Sequence, residues 1–447
     1  MLARAKSGSV PRDIKLNSFQ ALGVRARTLE NLSRQQLLTP TPVQEQALPL
    51  LIEGRDCIIQ SPTGSGKTLA FLIPLSEKLG GHQPSPPRAL IITPTRELAT
   101  QIGGVLNRLD PRLRVSLVFG GVGYQGQINQ LRTADVIIGC PGRLVDMAQR
   151  GAARLGAVEY LVLDEADEML DAGFAKDVED LTERTNQRFT KVPRQTVLAS
   201  ATMPDWVSKM ANRHLTNPGR VTVAPPEEAD LEHGLISVAR AQKVAYLSQL
   251  LQQSASTIVF HRTKHGARKL AHDLTLLGHA TAELQGNLSQ AARDRSIASF
   301  RKREAKVLVA TNVAARGIDI KDVNLVVNFE LPDTAQWLTH RVGRTARNGA
   351  KGRALTFLSE DDSDKWRKLR REGAPELRFV DPGRLLATGT MHYVADVPHP
   401  TSRPAAPRPA SGRSPSRNPG RPTGGGWAGT RRRRQPRVGS QPPRRPA

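Results

Sequence analysis

Short apolar runs rich in Val, Ile and Leu alternate with helical patterns through most of this chain, and that alternation dictates a parallel sheet covered by helices. One series of runs comprises Asp56 to Gln60, Ala89 to Thr93, Val115 to Phe119, Val136 to Ile138, Tyr160 to Leu163 and Thr196 to Ala199. A second comprises Thr257 to Phe260, Ala280 to Leu284, Val307 to Ala310, Leu325 to Asn328 and Ala354 to Leu358, with helical stretches such as Lys264 to Leu277 between them. Between the series stands Ala224-Pro-Pro-Glu-Glu-Ala-Asp230. Adjacent prolines continue neither a helix nor a central strand, so the linker between two α/β lobes is expected there.

The expected partition is an N-terminal extension over 1–18, a first lobe over 19–224, a linker over 225–230, a second lobe over 231–381 and a tail over 382–447. The tail is Pro, Gly, Ser and Arg with almost nothing to bury, and disorder is expected of it. From Pro398 to Ala447 it holds twelve arginines, no lysine and no acidic residue, which is half of the formal +24 charge of the 447-residue chain. A basic body with a more basic tail favours a polyanionic partner, because neutralised phosphates release counterions. The two cysteines, Cys57 and Cys140, imply no disulfide framework and fit a reducing compartment. With no apolar run long enough to span a bilayer and no signal-peptide core, a cytoplasmic protein without membrane contact is expected.

After the run ending at Gln60 comes Ser61-Pro-Thr-Gly-Ser-Gly-Lys-Thr68, in the strand-to-helix context of a phosphate-binding loop. Ser61 stands where the general pattern has its first glycine. Glycines let backbone N–H groups turn onto phosphate oxygens, Lys67 can reach the β and γ phosphates, and the Thr68 hydroxyl suits Mg²⁺. The second half of such a site is Asp164-Glu165-Ala166-Asp167, which follows the buried-strand run Tyr160-Leu-Val-Leu163. Carboxylates at a strand's C-terminal end sit at the ligand-binding edge of an open α/β sheet. Asp164 can hold Mg²⁺ through water, and Glu165 can orient or deprotonate the water that attacks the γ-phosphate. The competing reading is an acidic helix N-terminus, where Asp and Glu favour the dipole.

With both segments in order and at this spacing, the sequence resembles the DEAD-box helicase family (superfamily 2) from about Phe19 to Leu358. The resemblance implies two tandem RecA-like domains, ATP and Mg²⁺ as cofactors, and single-stranded RNA and short duplexes as partners. It further implies ribonucleoprotein as a partner class, a monomeric core, and RNA-stimulated ATP hydrolysis coupled to local unwinding or remodelling. Thr41-Pro-Val-Gln44 with Phe19 upstream resembles the adenine-reading motif, and Ser65, Gly66, Lys67 and Thr68 fall on the phosphate loop. A glutamine amide can pair with adenine N6 and N7 while an aromatic ring stacks on the base.

Pro94-Thr-Arg-Glu-Leu-Ala99, Gly120-Gly121 and Pro141-Gly-Arg143 are similar to the family's RNA-contacting segments, which implies RNA contacts at Thr95, Arg96, Gly121, Gly142 and Arg143. In the blander reading Thr95 is a helix cap and Arg96 lies on a solvated face. Ser200-Ala-Thr202 resembles the motif coupling hydrolysis to lobe closure, through Ser200 and Thr202. On the second lobe the resemblance implies RNA contacts at Gly286 and Thr311, and a ribose contact at Asp319. In His340-Arg-Val-Gly-Arg-Thr-Ala-Arg347, read as helical, Arg344 and Arg347 stand three apart and can share a face. By resemblance they are arginine fingers that complete the ATP site. Cys140, Gln285, Asn312 and Ala346 depart from the frequent Thr, His, Asp and Gly. Two rivals remain open: a DNA helicase or translocase on the same plan, and an ATP-independent RNA-annealing protein driven by the tail.

Overall fold

The computed structural model describes residues 17–83, 86–185, 193–224, 231–315, 323–346 and 351–394. The expected linker at 225–230 and the tail beyond 394 therefore lie outside the described residues, as do Asp319 and Arg347.

The first sheet takes strands β1 (Cys57–Gln60), β2 (Ala89–Ile92), β3 (Val115–Val118), β4 (Val136–Gly139), β5 (Tyr160–Asp164), β6 (Gln195–Ser200) and β7 (Gly219–Thr222). It is seven-stranded in the order β3-β4-β2-β5-β6-β1-β7. Every pairing in it is parallel. The second sheet takes β8 (Leu231–Ser237), β9 (Thr257–Phe260), β10 (Thr281–Leu284), β11 (Val307–Ala310), β12 (Leu325–Asn328), β13 (Gly352–Leu358), β14 (Arg378–Val380) and β15 (Tyr393–Val394). Its order is β10-β11-β9-β12-β13-β8-β14-β15, parallel except for the β14–β15 pair. These are two parallel α/β sheets of the RecA-like kind, within one compact unit. Strands such as β2, β4, β9 and β11 are buried along their whole length, so helices must cover both faces. Separate apolar clusters lie on the two sides of each sheet: Ile91 and Val162 against Leu90 and Leu161 in the first, Val259 and Val309 against Ile258 and Leu308 in the second.

Strand order places the site. Because β5, β6 and β1 are neighbours, the segments leaving their C-terminal ends emerge side by side, and Ser61 N donates to Ser200 O at 3.1 Å. Where β1 ends, the chain turns through Gly64 and Gly66, with φ of 83° and 100°, into the helix Lys67–Leu79.

Two expectations are corrected. The tail was expected to begin at 382, but Pro382–Thr388 is a helix and Tyr393–Val394 a strand of the second sheet. Asp381 Oδ1 caps that helix at Gly383 N and Arg384 N, and Leu385 and Met391 enter the core. The segment His340–Arg347 was read as one helix. Instead the helix Ala335–Val342 stops at the Gly343 cap, and Arg344 lies in the turn beyond it, so it shares no helical face. Thr345 Oγ1, bonded to Val323 O, and Ala346 at φ 53° hold the chain off the helical path.

Candidate active site

Lys67 is buried and donates through Nζ to the carbonyls of Ser61 at 2.5 Å and Pro62 at 2.8 Å, which folds the phosphate loop around its own cation. Ser65 Oγ lies 2.7 Å from Ser61 Oγ, so the serine replacing the first glycine braces the loop from inside. Gln44 is also buried. It closes a capping box with Thr41 and donates from Nε2 to Gly66 O at 3.1 Å. A Cβ on Gly66 would lie 2.7 Å from that same nitrogen, so the close approach requires glycine. In this arrangement the Gln44 amide is spent on the phosphate loop, and the Phe19 ring is packed in the core at 2% exposure. Thr68, one residue into the helix, stays partly exposed.

Asp164 closes β5, and its Oδ1 accepts from Glu165 N at 3.1 Å. Glu165 takes the left-handed conformation, φ 51°, which turns its side chain out of the strand direction. Burial pushes both carboxyls above their ordinary range. At Glu165 the neighbouring Glu168 and Asp164 push the same way, with Arg344 and Lys67 opposing; at Asp164 the Lys67 charge is the main opposing influence. Glu165 Oε2 is buried and has no hydrogen-bond partner among the described residues.

The acidic segment continues into a junction between the lobes. Asp167 Oδ2 accepts from Thr202 N at 2.9 Å and Thr202 Oγ1 at 2.7 Å, while Ser200 Oγ accepts from Asp167 N at 3.3 Å. From the second lobe, Gln336 Nε2 donates to Thr202 Oγ1 at 2.9 Å and reaches Asp167 Oδ2 at 3.4 Å. His340 Nδ1 lies 2.6 Å from Glu168 Oε1. Although burial disfavours its charge, Glu168 and Asp167 hold the His340 imidazole above its usual value. Sequence reasoning singled out Ser200 and Thr202 but missed Gln336, Glu168 and the pairing role of His340. Gln336 carries no local signal, since its partners are 134 and 169 residues away.

The segments read as RNA contacts gather on one side of the first lobe. Arg96 stacks on Phe119 at 4.6 Å, and a Cβ on Gly121 would meet its Nη1 at 2.6 Å, so the second glycine makes room for the guanidinium. Arg143 donates to Val122 O at 3.1 Å and stacks on Tyr124 at 4.1 Å. Gly142 lies in the first turn of the helix Pro141–Gln149. Thr95 accepts from Leu98 N at 3.3 Å, so its hydroxyl serves as the helix cap. Across the lobes, Arg293 donates to Glu97 Oε1 at 2.9 Å and to Ala314 O at 3.2 Å, beside Thr311. Gly286 stands in the β10 loop with no atom near its Cβ position.

The departures resolve individually. Burial pushes the Cys140 thiol up to about 12, and it caps no backbone group. Gln285 is buried and accepts from Asn287 N at 2.6 Å, turned onto its own loop. Asn312 Oδ1 accepts from Arg341 Nε at 2.5 Å. Ala346, at φ 53°, occupies a position where glycine would be unstrained.

The family model for the DEAD/DEAH box helicase matches residues 41–210, and that for the helicase conserved C-terminal domain matches residues 242–349. The DEAD-box ATP-dependent RNA helicase CshA of Bacillus cereus is 37% identical over 82% of this chain and 70% of its own length. The chain belongs to the DEAD-box helicase family. Other members of the family similar to it include the chloroplastic DEAD-box ATP-dependent RNA helicase 3B of Zea mays, 36% identical over 85% of this chain. This chain spans 53% of that maize protein, about half its length. A structure of S. cerevisiae Dbp5 bound to RNA and ADP BeF3 is 32% identical, covers 83% of this chain and 98% of its own, and superposes with a TM-score of 0.71. No helix among the described residues of this DEAD-box chain is long and apolar enough to cross a membrane.

Proposed function

We infer that the chain hydrolyses ATP in response to single-stranded RNA and uses the cycle to separate short duplexes or remodel ribonucleoprotein. The observation that carries this reading is the shared junction. Asp167 and Thr202 of the nucleotide lobe meet Gln336 of the other lobe within hydrogen-bond reach, so nucleotide chemistry and lobe closure act on the same side chains.

In this reading Lys67 and the backbone around Gly66 hold the β and γ phosphates, with Ser65 and Gln44 fixing the loop. Thr68 and Asp164 are an oxygen-donor pair of the kind Mg²⁺ takes, using few protein ligands and leaving the remainder to water and phosphate. The buried Asp164 carboxyl, raised by desolvation, is the group that a nearby cation would return to its charged form. Bound there, Mg²⁺ would neutralise charge developing on the phosphate oxygens. The partnerless Glu165 Oε2 is available to accept a proton from the attacking water. Arg344, with Arg347 beyond it, would complete the site as a finger from the second lobe, and Asp319 would hold the ribose. Phe19 and Gln44 would meet the adenine only after the contacts they now make are exchanged.

RNA would lie along Thr95, Arg96, Gly121, Gly142 and Arg143 on the first lobe and Gly286 and Thr311 on the second. A strand held by both lobes favours the closed arrangement, and a regular duplex does not fit a bent path, so separation is local. The partition into lobes at 19–224 and from 231 onward, a monomeric core and a cytoplasmic site of action belong to the same proposal.

Steady-state ATP hydrolysis with and without single-stranded RNA tests it. RNA-stimulated hydrolysis that Glu165→Gln abolishes supports the reading. Stimulation by DNA in preference to RNA moves the assignment to a DNA translocase, and ATP-independent annealing with no hydrolysis moves it to the tail.

A further inference from the structure

Arg341 is the largest fully buried side chain among the described residues, at 2% exposure. Its guanidinium meets only neutral acceptors: Asn312 Oδ1 at 2.5 Å, Asn328 Oδ1 at 3.1 Å and Glu330 O at 2.8 Å. The Phe260 ring centroid lies 5.1 Å from its central carbon. Nη2 has no hydrogen-bond partner, and no ion pair reaches Arg341 among the described residues. The carboxylates whose fields it feels, Asp333 and Glu330, are engaged elsewhere: Asp333 by Lys365 at 2.8 Å, Glu330 by His261 at 3.2 Å. Burial accordingly pushes the guanidinium down to about 9, yet it remains a cation at neutral pH. A buried charge with no countercharge is costly, and proteins almost always pair such groups.

A cavity of about 10 Å³ opens beside it, lined by Arg341, Asn312, Phe260, His340, Arg344 and Glu168. That is room for one species of about a water's size. Glu168, the one carboxylate of the lining among the described residues, lies 2.6 Å from His340 Nδ1 and does not pair with Arg341.

We propose that this cavity is a binding site for a small monovalent anion of the halide class, held by Arg341 Nη2 with the Asn312 amide on the same wall. A water would satisfy the hydrogen bond but leave the charge uncompensated; an anion answers both. Phosphates and carboxylate metabolites are too large for it. The site stands between His340 and Arg344, so occupancy steadies the turn that presents Arg344 to the first lobe. Halide binding at this site requires neither RNA nor hydrolysis.

The test melts the full chain in sodium chloride, sodium bromide and sodium gluconate at equal ionic strength, beside Asn312→Asp, which installs the countercharge covalently. The expected result is a saturable rise of about 2–4 °C for the native chain in either halide over gluconate. Asn312→Asp is expected to melt higher in gluconate and to show no halide increment. A native chain insensitive to halide would overturn the proposal, leaving water in the cavity. So would an equal rise in both proteins, which would put the halide elsewhere on the basic surface. If Asn312→Asp fails to fold, bromide-soaked crystals of the native chain decide the matter. An anomalous peak within hydrogen-bond reach of Nη2 supports the site, and a cavity without bromide refutes it.

Discussion

Glu165 combines a left-handed backbone, φ 51°, with a carboxyl that burial and two acidic neighbours push upward. A base with a raised pKa is lost as pH falls through that value. ATP turnover is therefore expected to rise with pH along an acid limb lying above the ordinary carboxylate range, which a kcat/KM profile would show. The stability of the ligand-free chain carries the opposite sign. The unfolded carboxyls ionise first, so stability is expected to fall as pH rises from the ordinary value through the raised one, measurable by urea unfolding across that window. Glu165→Gln should lower kcat by about 10² to 10⁴ while nucleotide affinity persists. Ala346 stands at φ 53°, and Ala346→Gly should gain about 0.5–1 kcal/mol in chemical unfolding. A loss instead would mean that the turn is not strained. Lys67, Asp164, Glu165, Ser200 and Thr202 were legible because each lies in a short contiguous segment whose chemistry shows at fixed spacing. Gln336 was not, because an amphipathic helix shows no sign of which distant carboxylate it will meet. Nor was the fate of Gln44, whose amide is committed to Gly66 O by packing.

At the scale of elements, the buried runs were readable as strands because continuous Val, Ile and Leu have nowhere else to go in a covered parallel sheet. The missed strands β7, β8, β14 and β15 lack that signal. β7 alternates buried and exposed residues, and β8 holds Glu232, His233 and Gly234. Gly234 lacks the Cβ that would stand 2.3 Å from Val380 Cγ2, and this absence lets the 378–394 segment extend the sheet. Gly234→Ala should therefore cost about 1–3 kcal/mol through overpacking, read by urea unfolding. A chain ending at Val394 should unfold like the native protein, whereas one ending at Asp381 loses the buried Leu385 and Met391 and should unfold earlier. Equal midpoints would return the segment to the tail where composition had placed it. The misread helix over His340–Arg347 has a similar cause: arginine spacing suggested a face, and Gly343 ended the helix before that face could form.

Across the whole molecule, the contacts between the two lobes among the described residues include two junctions of different chemistry. The Asp167, Thr202 and Gln336 junction lies behind the nucleotide loop, and the Glu97 to Arg293 bridge lies beside the segments read as RNA contacts. If the arginine-rich segment from 398 to 447 acts as a polyanion tether, its deletion should weaken RNA binding and flatten its salt dependence while leaving RNA-free hydrolysis in place. The paired lobes were visible in the sequence because each repeats the same alternation, but the junctions were not, since they depend on how the two sheets face each other. In the proposed function, ATP and RNA favour one closed arrangement jointly. Single-stranded RNA affinity of the full chain, measured with and without a non-hydrolysable ATP analogue and Mg²⁺, tests it most directly. Affinity higher by about 5- to 150-fold with the analogue is the expected result, in the range of ordinary coupling energies; equal affinity in both conditions would contradict it.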